Sequence, residues 1–142
     1  MNINRIIIEE IQKLIKPYKG ILYHGSNWEF DSFDLKWVGR NSDPGHYSQG
    51  IYFTPNEDLA RYYGEYIYVC EVILSNPFYV MVENKRQFLN IVGIGDVSPE
   101  EVTKHLISMG YDGVILLDVH NENEIQECVV YDTKNILILN KK

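Results

Sequence analysis

The sequence predicts an α+β fold built around a split, mixed β-sheet. A stretch with helical spacing comes first, strands separated by short helices follow, and the C-terminal half is rich in strands. In a doubly wound parallel sheet the strands alternate regularly with helices, and they do not alternate in this way here. No Gly-x-Gly-x-x-Gly motif follows a predicted strand, so we do not expect a Rossmann fold.

The composition is that of a single soluble domain spanning residues 1–142. At this length a chain buries about two-thirds of its unfolded surface, and 45% apolar and 23% charged residues are ordinary values. The net charge of −7 disfavours a broad basic groove for duplex nucleic acid. We expect a cytoplasmic protein, because no window resembles a membrane span and the first twenty residues do not resemble a signal peptide.

Periodicity and capping residues predict the individual elements. A helix is expected at 4–16, within an N-terminal segment 1–17 that packs on the outside of the domain core, and Pro17 and Gly20 end it. Further helices are expected at 56–63, 84–92 and 99–109. Strands are expected at 21–23, 66–74, 78–82, 114–117, 127–131 and 136–139.

Both cysteines lie in apolar runs, so we expect two buried free thiols. The chain has no Cys/His spacing typical of zinc and no acidic calcium loop, and we therefore expect no metal.

Three motifs combine into the layout of a composite active site. They are Tyr23-His24-Gly25-Ser26, Gly50-Ile51-Tyr52-Phe53-Thr54 and Glu127-Cys128-Val129-Val130-Tyr131. Each brings a polar or aromatic residue to a predicted strand or its end. Tyr63 stands eleven residues after Tyr52.

Taken together, these motifs resemble the His-Tyr-Glu signature of ADP-ribosyltransferases of the diphtheria-toxin and poly(ADP-ribose) polymerase type. That signature reads His-Gly-Ser, then Gly-Ile-Tyr-Phe with a second Tyr eleven residues on, then Glu-Tyr-Ile-Val-Tyr. The resemblance covers most of the chain after its first twenty residues. It implies two small packed sheets with an NAD cleft between them, and NAD as the co-substrate.

The resemblance implies catalytic roles for Glu127, His24 and Tyr52. Breaking the bond between nicotinamide and ribose passes through an oxocarbenium-like cation, which a nearby negative charge stabilises. Glu127 would hydrogen-bond a hydroxyl of the nicotinamide ribose and stabilise that charge. His24 would hold a ribose hydroxyl through its imidazole.

The same resemblance implies the residues that bind nicotinamide. The backbone of Gly25, which has no Cβ in the way, would bond the carboxamide, and the Ser26 hydroxyl would add a bond. Tyr52 and Tyr63 would sandwich the ring. Tyr62 competes with Tyr63 for this role, and only the spacing favours Tyr63.

The chain also departs from the polymerase pattern. The polymerases carry Lys and Ser four and three residues before the second Tyr, where this chain has Leu59 and Ala60. The absent Ser implies weaker nicotinamide binding, and the absent Lys implies transfer of a single ADP-ribose. The Arg-Ser-Glu class matches less well, because Ile125 stands where its Glu or Gln would be.

We therefore expect a mono-ADP-ribosyltransferase of the compact kind found among bacterial toxins and phage effectors, acting on a macromolecular acceptor, with protein favoured over nucleic acid. An NAD glycohydrolase with the same site, or a non-catalytic module that binds NAD or ADP-ribose, are the alternatives. The glycine- and proline-containing segment 39–49 is expected to be a mobile loop beside the nucleotide, with Arg40 as a candidate partner for the pyrophosphate.

Overall fold

The computed structural model describes residues 17–37, 47–121 and 124–142, which form an α+β fold with two small sheets and a few short helices. The predicted helix at 4–16 and most of the predicted loop at 39–49, Arg40 included, lie outside the described residues. The strands are β1 Tyr18–Ser26, β2 Ile51–Phe53, β3 Tyr66–Leu74, β4 Pro77–Val80, β5 Gly113–Leu117, β6 Ile125–Val130 and β7 Ile136–Lys141.

These strands form a three-stranded sheet in the order β1-β3-β7 and a four-stranded sheet in the order β2-β6-β5-β4. All neighbouring strands are antiparallel except β4 and β5, which are parallel. The prediction of an α+β fold with mixed strand pairing is therefore confirmed.

The helices begin where the sequence places capping side chains. Helix α1 is Glu57–Ala60, continued by a 3-10 turn at Arg61–Tyr63, helix α2 is Lys85–Val92, and helix α3 is Pro99–Ser108. Asn56, Asn84 and Ser98 each accept a hydrogen bond from a backbone N–H in the first turn of the helix that follows. Gly110, with a φ of 93°, takes the left-handed conformation that ends α3.

The core has two layers, one on each face of the four-stranded sheet. One layer lies between the two sheets and includes Leu22, Tyr68 and Cys128. The other lies between the four-stranded sheet and helices α2 and α3, and includes Phe88 and Val129. Strand β5 is buried along its whole length because both faces are covered.

Among the described residues, the two sheets are hydrogen-bonded to each other through an isolated bridge between Tyr23 and Thr54. The N–H of Tyr23 donates to the Thr54 carbonyl at 2.8 Å, and the N–H of Thr54 donates to the Tyr23 carbonyl at 2.9 Å. Strand β1 continues beyond Tyr23 alongside β3, while β2 runs alongside β6. The gap between β1 and β2 next to this bridge is called the wedge below.

Strand β3 has the predicted bounds, whereas β1 is longer than predicted. Gly20 was expected to end a helix, but it lies within β1 opposite Val72. Pairing with β3 along the whole of β1 outweighs the weak local preference of a single glycine. Cys70 and Cys128 are buried free thiols, as predicted. Among the described residues, no helix has the length and apolar character needed to cross a membrane.

We predict that Asp112→Ala lowers the free energy of unfolding by about 1–3 kcal/mol, because two backbone donors lose a charged acceptor. The Asp112 carboxylate accepts from the N–H of Ser75 at 2.8 Å and of Asn76 at 3.1 Å, and so holds the turn between β3 and β4. Urea unfolding would measure the loss. Asp96→Ala, at an exposed position, is the control and should change stability by less than about 0.5 kcal/mol. Equal effects of the two substitutions would contradict this role for Asp112.

Candidate active site

His24 lies in the wedge where β1 and β2 separate. Its Nδ1 is 2.7 Å from the carbonyl oxygen of Tyr52. Since a carbonyl can only accept, Nδ1 donates and therefore carries the hydrogen. Four aromatic rings surround the imidazole, with centroids 5.1 to 6.4 Å away: Phe30, Phe33, Phe53 and Tyr68.

The surroundings of His24 favour a neutral imidazole. Burial lowers the pKa of His24 below its ordinary value of 6.5, and the hydrogen bond to the Tyr52 carbonyl only partly opposes this change. A neutral ring with its hydrogen on Nδ1 has a lone pair on Nε2. His24 can therefore accept a hydrogen bond from a hydroxyl group through Nε2.

The backbone of Gly25 points into the wedge. Ile67, its partner on β3, exchanges both of its backbone hydrogen bonds with Lys142, at 3.1 and 2.8 Å, on the far side of β3. Gly25 and Ile67 are therefore a non-hydrogen-bonded pair of the antiparallel ladder. In such a pair the N–H and C=O of each residue face away from the other residue. The N–H and C=O of Gly25 thus point away from β3, as those of Tyr23 do where they bond Thr54.

Helix α1 packs so closely on the end of β1 that only glycine fits there. A Cβ on Gly25 would lie 1.8 Å from the carbonyl oxygen of Ala60, and a Cβ on Gly64 would lie 2.1 Å from the carbonyl carbon of Ser26. Ala60 is fully buried in this contact. The same packing brings the Cβ of Tyr63 to within 3.3 Å of the position of a Gly25 Cβ.

Tyr63 is therefore beside Gly25. Its side chain is 61% exposed, so much of its ring remains open to a ligand, whereas Tyr62 is 85% exposed. The Ser26 hydroxyl accepts a hydrogen bond from the N–H of Trp28 at 3.0 Å. This bond uses one lone pair of the hydroxyl oxygen and leaves its hydrogen able to donate.

Glu127 lies on β6 next to the junction of the two sheets. Strands β2 and β6 pair Phe53 with Cys128, and the next residues along these strands are Thr54 and Glu127. Thr54 is the residue that bridges to β1. Glu127 is half-buried at this position.

Tyr52 and Glu127 project from the same face of the four-stranded sheet. Tyr52 pairs with Val129, and Glu127 is two residues from Val129, so the alternation of a strand puts all three side chains on one face. The His24 ring instead packs with Phe53, on the other face of β2, and reaches Tyr52 through its carbonyl. Glu127 and Tyr52 thus share a face, whereas the His24 ring lies on the opposite face of β2 and contacts the backbone of Tyr52.

The Tyr52 hydroxyl holds the segment that precedes β2. It accepts from the N–H groups of Tyr47 and Ser48, both at 3.2 Å, and donates to the Ser48 carbonyl at 2.5 Å. Ser48 is fully buried, and its hydroxyl accepts from the Tyr131 hydroxyl at 2.7 Å. The Tyr52 ring also packs against the core layer between the four-stranded sheet and helices α2 and α3. Tyr52 therefore stabilises the fold.

Tyr47 is a residue of this region that sequence reasoning missed. Burial raises the pKa of its hydroxyl, and the negative charge of Glu127 raises it further. Its ring packs edge-on against Phe88 at a centroid distance of 5.2 Å. Nothing in the sequence marked Tyr47, because the packing of its ring against Phe88 joins residues that are distant in the sequence.

The cysteine next to Glu127 is not a candidate nucleophile. Burial raises the pKa of the Cys128 thiol far above its ordinary value, and the charges of Glu127 and Asp112 add to the rise. Burial raises the pKa of Cys70 to about 12. A thiol in this state contains almost no thiolate at neutral pH.

An open depression of about 290 Å³ lies near the start of β6, but its chemistry does not suit NAD. It is lined by Val82, Glu83, Asp118, Val119, His120 and Gln126. The carboxylates of Glu83 and Asp118 would repel an anionic pyrophosphate. We therefore assign the candidate site to the wedge and the adjoining face of β2 and β6.

In the comparisons with known proteins, no protein-family model and no curated protein matches this chain. Within the described residues, no group of three or more His, Cys, Asp or Glu side chains is arranged to hold a metal ion.

We predict that His24 makes stability depend on pH. The folded-state pKa of His24 lies below the unfolded value of 6.5, so its contribution is complete above that value. It is lost as pH falls below 6.5, because the unfolded chain then binds a proton that the folded chain does not. The slope can reach at most about 1.4 kcal/mol per pH unit. Unfolding free energies between pH 5 and 8 would measure it.

His24→Gln should flatten this part of the profile, because glutamine does not titrate. His120→Gln, which changes an exposed loop residue, should keep the wild-type slope. A wild-type slope that survives in His24→Gln would show that other groups cause it.

Proposed function

We propose that this protein is a mono-ADP-ribosyltransferase, which cleaves NAD at the bond between nicotinamide and ribose and transfers ADP-ribose to a macromolecular acceptor. The observation that carries the proposal is the meeting of the three motifs at one junction. The hydrogen bond from His24 to the Tyr52 carbonyl joins the first two motifs. Glu127 comes directly before Cys128 on β6, and Cys128 pairs with Phe53 of the second motif.

The wedge supports the proposal because its hydrogen-bonding groups match nicotinamide. The Gly25 N–H can donate to the carboxamide oxygen, and the Gly25 C=O can accept from the carboxamide nitrogen. Both groups point into the wedge, as the pairing of Ile67 with Lys142 requires. The half-open ring of Tyr63 beside Gly25 offers a stacking surface.

In the proposed reaction the bond between C1′ of the ribose and the nicotinamide nitrogen breaks. Its electron pair leaves with nicotinamide, which departs as a neutral molecule, and positive charge develops on the ribose. Glu127 stabilises this charge and holds a ribose hydroxyl, while neutral His24 accepts from a hydroxyl through Nε2. A nucleophile of the acceptor then bonds to C1′ and passes its proton to Glu127 or to water.

The acceptor is proposed to be a protein, because a net charge of −7 disfavours an extended nucleic-acid contact. Incubation with NAD labelled on its adenylate part, with and without cell lysate, tests the reaction and its acceptor together. Nicotinamide release that depends on lysate, with label in protease-sensitive material, is the expected result. Equal release without lysate would favour NAD glycohydrolysis, and binding without release would favour a silent module.

Glu127→Gln should lower turnover by a hundredfold or more and leave NAD affinity nearly unchanged. The charge of Glu127 is needed only as the bond breaks, and the loss corresponds to about 2.7 kcal/mol of transition-state stabilisation. Nicotinamide release and NAD titration would measure the two effects. Glu124→Gln, at an exposed position just before β6, should keep wild-type turnover. A Glu127→Gln protein with the wild-type rate would remove Glu127 from catalysis.

Tyr63→Ala should raise the KM for NAD roughly two- to tenfold, because stacking contributes about 0.5–1.5 kcal/mol beyond burial. Tyr62→Ala is the matched control, since this neighbouring tyrosine is even more exposed and both variants should fold. Its KM should stay within twofold of wild type. If Tyr62→Ala has the larger effect, the nicotinamide ring does not stack where we propose.

A further inference from the structure

Thr54 links the wedge to the strand that carries Glu127. Its N–H donates to the Tyr23 carbonyl at 2.9 Å, and its C=O accepts from the Tyr23 N–H at 2.8 Å. Both groups therefore point towards β1 and away from β6. The pairing of β2 with β6 reaches Phe53 and Cys128. The next residues along the two strands, Thr54 and Glu127, thus face each other as a non-hydrogen-bonded pair.

The side chains of Thr54 and Glu127 project from the same face of the four-stranded sheet. Thr54 is two residues from Tyr52, which packs against the core layer beside helices α2 and α3. Glu127 is two residues from Val129, which belongs to that layer. In a non-hydrogen-bonded pair the Cβ atoms of the opposed residues are about 4.5–5.5 Å apart. The Thr54 hydroxyl and the Glu127 carboxylate can therefore contact one small group of a ligand.

The Thr54 hydroxyl has a hydrogen available for such a contact. Its oxygen accepts from the N–H of Asn56 at 3.3 Å. Among the residues that the structure describes, none accepts a hydrogen bond from this hydroxyl. Thr54 is 8% exposed. A hydroxyl with so little access to water gains from a ligand that accepts its hydrogen.

A single ribose hydroxyl is complementary to this pair of side chains. An ionised carboxylate can only accept, so Glu127 takes the hydrogen of the ribose hydroxyl. The oxygen of the same hydroxyl has two lone pairs, and Thr54 can donate to one of them. A sugar with a hydrogen atom at this position would leave both side chains without that partner. A site of this kind therefore discriminates strongly against a deoxy sugar.

We infer that Thr54 binds NAD by donating a hydrogen bond to the ribose hydroxyl that Glu127 holds. This role rests on the proposed function. The Thr54 hydroxyl is neutral and makes the same bond before and during cleavage, so it contributes to NAD binding and to specificity for ribose. Its loss should raise KM and leave kcat nearly unchanged, whereas loss of the Glu127 charge lowers kcat.

The test is a cycle that removes the Thr54 hydroxyl, the ribose hydroxyl or both. NAD is compared as a substrate with two analogues, which lack the 2′ or the 3′ hydroxyl of the nicotinamide ribose. Thr54→Val should raise the KM for NAD roughly three- to tenfold, because one hydrogen bond is lost. For one of the analogues the same substitution should change KM by less than about twofold. The intrinsic reactivity of the deoxy sugar cancels, since each analogue is compared between two proteins.

Thr54→Val also removes the acceptor of the Asn56 N–H, so two controls separate binding from structural effects. Thr54→Ser retains the hydroxyl and should keep the wild-type KM values. Asn56→Ala removes the side-chain cap of α1 and should lower stability without changing the ratio of KM values between NAD and either analogue. Thr54→Ala replaces Thr54→Val if that protein does not fold.

The failure of this inference differs from the failure of the proposed function. A Thr54→Val protein whose KM rises equally for NAD and both analogues, or for none of them, would overturn the role of Thr54 and leave the proposed function standing. A wild-type protein that neither binds nor cleaves NAD would overturn both.

Discussion

The bridge between Tyr23 and Thr54 is the contact on which the candidate site depends. It joins two sheets whose other strand pairs lie within one sheet or the other. Beyond this bridge, β1 and β2 separate. Backbone groups that would have continued the ladder then lack strand partners, and the His24 imidazole takes one of them, the Tyr52 carbonyl. A buried carbonyl without a partner is costly, so this bond stabilises the fold as well as orienting the imidazole.

Several groups around the junction therefore have a structural and a potential chemical role together. The Tyr52 hydroxyl fixes the Tyr47 and Ser48 backbone while its ring packs in the core. Gly25 admits helix α1 and directs its own N–H and C=O into the wedge. Substitutions that keep one role and remove the other are more informative here than truncation to alanine, because alanine at Tyr52 or His24 would also disturb packing.

Burial influences the protonation states of the ionisable groups near the junction, and so the chemistry that each group can perform. It keeps the Cys128 thiol protonated and the His24 imidazole neutral, and it keeps the Tyr47 phenol neutral beside the Glu127 charge. Glu127 itself is only half-buried. A half-buried carboxylate can stabilise a transient cation, whereas the protonated thiols do not suit nucleophilic catalysis.

The sequence by itself determined the elements and the motif positions. Alternation fixed β3, and side-chain caps fixed the starts of α1, α2 and α3, because each of these signals is local in the chain. The turn-like residues after Tyr23 placed His24 at a strand end, whereas β1 continues to Ser26. Tertiary structure alone decided which groups meet. The wedge, the direction of the Gly25 backbone, the contact of Ala60 with β1 and the position of Tyr47 beside Glu127 depend on strand pairing between distant segments. No local pattern encodes that pairing, because register is set by the packing of whole sheets.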